Sequence, residues 1–171
     1  AQKLSELLNT DYMGINQAEE GLMQREEARQ RSIEIVQAAG FDLEQMPYVS
    51  LGSKGGWNGW EVRVSQIPGD EQRTPGVMLD LANDGAVRYM EYLGEPTEAA
   101  IGAAISEQRA QEIALAFMTQ YVDAEGEAAC TAQAEDSHWK VTFEGQADQQ
   151  PCEVWIDNQT GAVLLVETFT R

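Results

Sequence analysis

Two stretches of this chain constrain its fold more than any other feature. One reads VMLDLANDGAVRYM, from Val77 to Met90, and the other reads VWIDNQTGAVLLV, from Val154 to Val166. Each is an alternating apolar run, then polar residues, then Gly-Ala-Val, then a second apolar run. Period-two alternation marks a strand with one buried face. A glycine in the polar break, Gly85 or Gly161, supplies the positive φ that a tight hairpin turn demands. Both stretches therefore predict an antiparallel hairpin.

The surroundings of the two hairpins match in order. Upstream of each lies another alternating run, WEVRVSQI from Trp60 and WKVTFE from Trp139. Before each of those comes a weaker strand signal, YVSL at Tyr48 and AACTAQA at Ala128. Further upstream the period lengthens to that of a helix. Glu26 to Phe41 places Ala28, Ser32, Ile35, Val36 and Ala39 on one face and stops at Gly40. Ile105 to Val122 places Ala110, Ile113, Ala114, Phe117 and Tyr121 on one face, with Ser106 as N-cap. Helix, tryptophan strand and glycine turn recur at offsets of 82, 79 and 76 residues. The expected fold is α+β: two tandem units, each one helix packed on a four-stranded antiparallel meander, in a cystatin-like arrangement. Residues 26–94 form the first unit and 105–171 the second, with 95–104 as linker and 1–25 as an N-terminal helical extension.

The helix, the tryptophan strand WKVTFE and the hairpin VWIDNQTGAVLLV resemble the PepSY domain, a small helix-plus-sheet module. WEVRVSQI and MLDLANDGAVRYM resemble it less closely. The resemblance implies a non-enzymatic, extracytoplasmic module that contacts a protein or peptide, such as a secreted peptidase or an envelope protein. A propeptide-like peptidase inhibitor or chaperone is the alternative it implies. An enzyme with an unrecognised site is the alternative from another class. The family carries no catalytic residues over to this chain, and no cofactor.

Charge narrows the partners. The 171 residues hold 29 acidic and 11 basic side chains, a net charge of −18, with acids in excess in both halves. Such a surface repels phosphate backbones and anionic lipid, which disfavours nucleic acid and membrane surfaces as partners. No apolar run approaches the roughly 18 residues of a membrane span. The opening AQKLSELLNTDYMG has neither the basic start nor the apolar middle of a signal peptide.

Chemistry-bearing residues are few. His138 is the one histidine, it lies beside a polar turn, and no nucleophile elbow accompanies it. The expected role is an exposed turn residue. Asp80 to Glu91 mimics a calcium loop, with Asp84, Gly85 and Glu91 at ligand or turn positions. Ala82 stands where a ligand is needed and the flanks read as strands, so a hairpin is expected and no metal site. Two aromatic residues are candidate contact residues. Trp155 is out of phase with Val154 and Ile156, which puts it on the opposite sheet face, either for a partner or for packing between the units. Trp57 lies in the glycine-rich loop GSKGGWNGW.

The extracytoplasmic location implied by the resemblance makes a Cys130–Cys152 disulfide the default. The strand register opposes it. Turns around Asp136 and Ala147 put both cysteines opposite Phe143, from its two sides. Two strand spacings are about 9–10 Å, and a disulfide needs Cα atoms within about 7 Å. Two buried free thiols are expected.

Overall fold

The computed structural model describes residues 23–53, 59–68, 75–94, 104–122, 129–144 and 152–168. The expected N-terminal helix, most of the linker and Trp57 lie outside these residues. Among the described residues, a helix and four strands are followed by a second helix and four more strands. Helix α1 (Arg25–Ala38) precedes strands β1 (Tyr48–Ser53), β2 (Gly59–Ser65), β3 (Gly76–Ala82) and β4 (Val87–Leu93). Helix α2 (Glu107–Phe117), which runs into a π-helical turn (Met118–Val122), precedes β5 (Cys130–Ala134), β6 (His138–Phe143), β7 (Cys152–Asp157) and β8 (Val163–Glu167).

Local chemistry explains the boundaries. Ser106 Oγ accepts the Arg109 N–H at 3.1 Å, which caps α2 as its sequence predicts. Glu27 reaches back to the Gln24 N–H at 3.2 Å and so closes the start of α1. Gly40 stops that helix with φ 99°. Gly85 and Gly161 hold φ 85° and 75° in the two hairpin turns. A β-carbon on either would also press on a helix: on Met23 and Arg31 beside α1, or on Ile113 of α2, each at 3.1–3.3 Å. The π-helical turn carries Tyr121 toward α1, where the Arg31 guanidinium lies 5.0 Å from the ring centre.

The expectation of two tandem units, each a helix on its own four-stranded sheet, is overturned. All eight strands form one antiparallel sheet in the order β1-β2-β3-β4-β8-β7-β6-β5. The joint is the β4–β8 ladder, where Tyr89, Met90 and Glu91 lie opposite Glu167, Val166 and Leu165. The Thr168 N–H and hydroxyl both donate to the Arg88 carbonyl and extend it. The physical reason is the edge problem. A meander that ended at β4 or β8 would leave a row of unpaired N–H and C=O groups beside an apolar strand, and pairing the two strands removes both edges.

One row of side chains shows how the core is made continuous. Leu51, Val62, Leu79, Met90, Val166, Val154, Val141 and Ala132 are opposed in succession across all eight strands. The first seven are at most 1% exposed. Both helices pack on this face. α1 contributes Ala28, Ile35 and Val36, and α2 contributes Ala110, Ala114 and Phe117. The two strand tryptophans share it, and each is tied to the backbone just before a helix. Trp60 Nε1 donates to the Met23 carbonyl at 2.9 Å, and Trp139 Nε1 donates to the Ile105 carbonyl at 3.1 Å.

Candidate functional site

The face of the sheet turned away from the helices is polar, and its composition follows from strand phase. Each strand that buries Val, Leu or Met on the helix side must turn its alternate residues outward. Two β-bulges keep that phase. Between β3 and β4 the register skips Arg88, and between β7 and β8 it skips Leu164. The skips let Tyr89 and Glu167, two residues that would otherwise point inward, stand on the outer face.

The outcome is a row of acids. Glu61, Asp80, Tyr89, Glu167 and Glu153 are opposed in succession across β2, β3, β4, β8 and β7. Four of these five are carboxylates and all are half-buried. A fifth carboxylate, Glu91, lies in the next row, opposite Met78 and Leu165. Like charges set opposite one another across strands are destabilising. Cations on the same face meet part of this charge: Lys140 Nζ lies 3.8 Å from Glu153, and Arg63, two residues along β2 from Glu61, is buried. The Tyr89 hydroxyl donates to Glu91 at 2.5 Å. Burial first, and that bond second, push its phenol well above its ordinary value, so it stays a neutral donor.

Trp155 stands on this face, as its phase predicts, but it does not pack between the two halves of the sheet. It lies between Leu165 on β8 and Lys140 on β6. Its indole N–H donates to Glu153, and its ring stacks on His138 with centroids 4.2 Å apart and planes 19° apart. Lys140 Nζ approaches Glu153 at 3.8 Å. The sheet thus gathers Trp155, His138, Glu153 and Lys140, which the sequence separates. His138 is corrected from an exposed turn residue to a half-buried ring under the indole. Burial holds its pKa below the usual 6.5, against the opposing pull of Glu135, Glu153 and Asp157. The neutral imidazole is therefore the native form at pH 7. The stability this contributes is present above pH 6.5 and is lost as pH falls through the lower folded-state value. The imidazole signals of His138 in a proton NMR titration are expected to move with a midpoint below 6.5. Trp155→Ala, which opens the ring to water, is expected to return that midpoint toward 6.5. An unshifted midpoint in the parent protein would contradict the stack.

Other candidate chemistry resolves into packing. Asp80 to Glu91 is a hairpin, with Asp80 opposite Tyr89 and Met78 opposite Glu91. Among the described residues no three His, Cys, Asp or Glu side chains are placed to hold a metal ion. Cys130 and Cys152 are free and flank Phe143 from its two sides, in the register expected for them. Both are half-buried, more open than the sequence reading gives. Burial pushes the Cys152 thiol up to about 12 and raises that of Cys130, which keeps both as poor nucleophiles. The Cys152 sulfur lies 3.7 Å from that of Met118.

No protein-family profile matches the sequence, and no curated protein matches it. Among solved structures, the Bacillus megaterium YpeB C-terminal domain resembles the chain with a TM-score of 0.61. That likeness supports a PepSY-like fold. Sequence identity is 11%, and the match covers 86% of this chain and 63% of that structure. The chain therefore spans a little under two thirds of the length of the protein it resembles. Among the described residues no helix is long and apolar enough to cross a membrane.

Proposed function

We propose that this chain is a non-enzymatic, PepSY-like interaction module that works outside the cytoplasm and binds a basic protein or peptide across the outer face of its sheet. The carboxylate row from Glu61 to Glu153 carries the reading. Opposed acids repel one another. The five half-buried carboxylates share that face with Arg63 and Lys140 alone among the described cations of β2 and β6, and the net charge of −18 draws a basic partner from a distance. Trp155 beside the row supplies an aromatic contact of the kind that anchors interfaces. Inhibition or chaperoning of a secreted peptidase is the narrower form of the same reading. The paired substitution Glu153→Gln with Glu167→Gln removes two charges without changing side-chain size. Titration calorimetry with lysine-rich and glutamate-rich peptides tests the proposal. Lysine-rich peptides are expected to bind, more weakly as salt is raised, and the paired variant is expected to weaken that binding. Equal binding of both peptides, or none of either, would refute it. So would turnover of a peptide or ester substrate that disappears in His138→Ala.

A further inference from the structure

Among the described residues the sheet ends at β5, and β5 is an unusual edge. Its register to β6 is unbroken from Cys130 opposite Phe143 to Ala134 opposite Trp139. The Glu135 N–H bonds to the His138 carbonyl at 2.9 Å and the Glu144 N–H to the Ala129 carbonyl at 3.2 Å. In an antiparallel ladder these two bonds fix the alternation: Thr131 and Gln133 turn their backbone groups toward β6. Cys130, Ala132 and Ala134 turn theirs outward, and no described strand lies beyond them. Natural edges are protected by charge, proline, a bulge or a covering element. The sequence CTAQA has no charge and no proline, and its pairing has no bulge. Thr131, Gln133 and Ala134 are exposed.

The surroundings of this edge are selective. Ile113 of α2 faces the β7–β8 turn, since its Cδ1 lies 3.1 Å from where a β-carbon on Gly161 would stand. At about 100° per residue, Leu115 points away from that turn, and its helix packs against β5. It is 42% exposed, one of two large apolar side chains so open among the described residues. The ends of the edge are acidic, with exposed Glu135 and Asp136 at one and exposed Glu144 at the other. The nearby cations are already engaged, Lys140 by Glu153 and Arg109 by Glu112.

We propose that β5 accepts an extended, basic peptide segment as a ninth strand of the sheet. The outward N–H and C=O groups of Cys130, Ala132 and Ala134 supply main-chain hydrogen bonds. Leu115 covers an apolar residue of the incoming strand, and Glu135, Asp136 and Glu144 meet lysine or arginine at its ends. Charge argues against a second copy of this chain as occupant, because each copy brings −18 and the same acidic rim. The inference rests on the chain being an interaction module, and it specifies how the partner's segment is held.

The probe is a short synthetic peptide of alternating valine and threonine flanked by lysines, titrated into the full chain. Amide exchange should slow at Cys130, Ala132 and Ala134. Ala132→Pro removes an outward donor and leaves the β6 ladder intact, as edge strands permit. It is expected to weaken binding about tenfold, the effect of one lost backbone hydrogen bond and its neighbours. Should that variant unfold, a probe N-methylated at alternate residues makes the same test from the peptide side, with the same expected loss. Binding that survives both changes and yet falls in the Glu153→Gln, Glu167→Gln variant would overturn the ninth strand and leave the interaction module standing. Loss with Ala132→Pro alone would support the strand and remove the outer face from the reading. A probe that does not bind at all would overturn both. A dimer of the peptide-free chain that Ala132→Pro dissolves would overturn the choice of occupant.

Discussion

Met90→Ala is expected to lower the stability of the folded chain by about 2–5 kcal/mol, the usual loss for deleting a large buried side chain. Met90 is fully buried, and it lies between Leu79 on β3 and Val166 on β8. It is thus the core residue at the seam where the two runs of strands become one sheet. A cavity there is lined on both sides, and neither neighbouring strand can move in without breaking the ladder that holds the other. For a chain of this size each kcal/mol is worth about 2–4 °C in melting temperature, so a thermal melt resolves the effect. Leu115→Ala is the control, since an exposed side chain of this kind contributes within about 0.5 kcal/mol. A Met90→Ala melt that matches the control would mean that β4 and β8 do not pair.

Trp60→Ala is expected to cost about 3–5 kcal/mol, and Trp139→Ala clearly less. The two residues hold matching places, with each indole bound to the carbonyl before a helix. They differ in burial: Trp60 is 2% exposed, whereas Trp139 is half-buried. Trp60→Phe separates volume from hydrogen bonding. It keeps most of the apolar area but strands the Met23 carbonyl, and a loss of about 1–3 kcal/mol is expected from that unpaired acceptor alone. Denaturant melts of the three variants order these effects. Equal losses for Trp60→Ala and Trp139→Ala would mean that burial at the two sites had been misassigned.

The local elements were legible because their signals are local. Ala28, Ser32, Ile35, Val36 and Ala39 are all buried, as the helical period requires. The register that puts both cysteines opposite Phe143 came from turn positions and strand period alone. What was not legible is the β4–β8 pairing. Period-two alternation reports which face of a strand is buried and is silent about which strand lies beside it. VRYMEYL and VLLVE would read the same at an edge as in the interior. The carboxylate row was hidden for a related reason. Each acid is an ordinary outward residue of its own strand. Tyr89 and Glu167 come into line only through the bulges at Arg88 and Leu164. His138 was misread because its cover, Trp155, lies on the next strand, opposite Lys140, where only the β6–β7 register brings the two rings together.

The seam also sets an order of events during synthesis. β1 to β4 can pair as soon as they emerge, through nearest-neighbour hairpins that close quickly. β4 then has one satisfied side and one bare side until β8, the last of the eight strands, has been made. Between those moments the growing chain carries an apolar strand with open backbone groups, which is the form most prone to join another chain. Closing it requires bringing together strands far apart in sequence, the kind of contact that slows folding. The single sheet therefore gains its stability late, and a chain interrupted between Leu93 and Val163 would keep the adhesive edge that the finished protein has hidden.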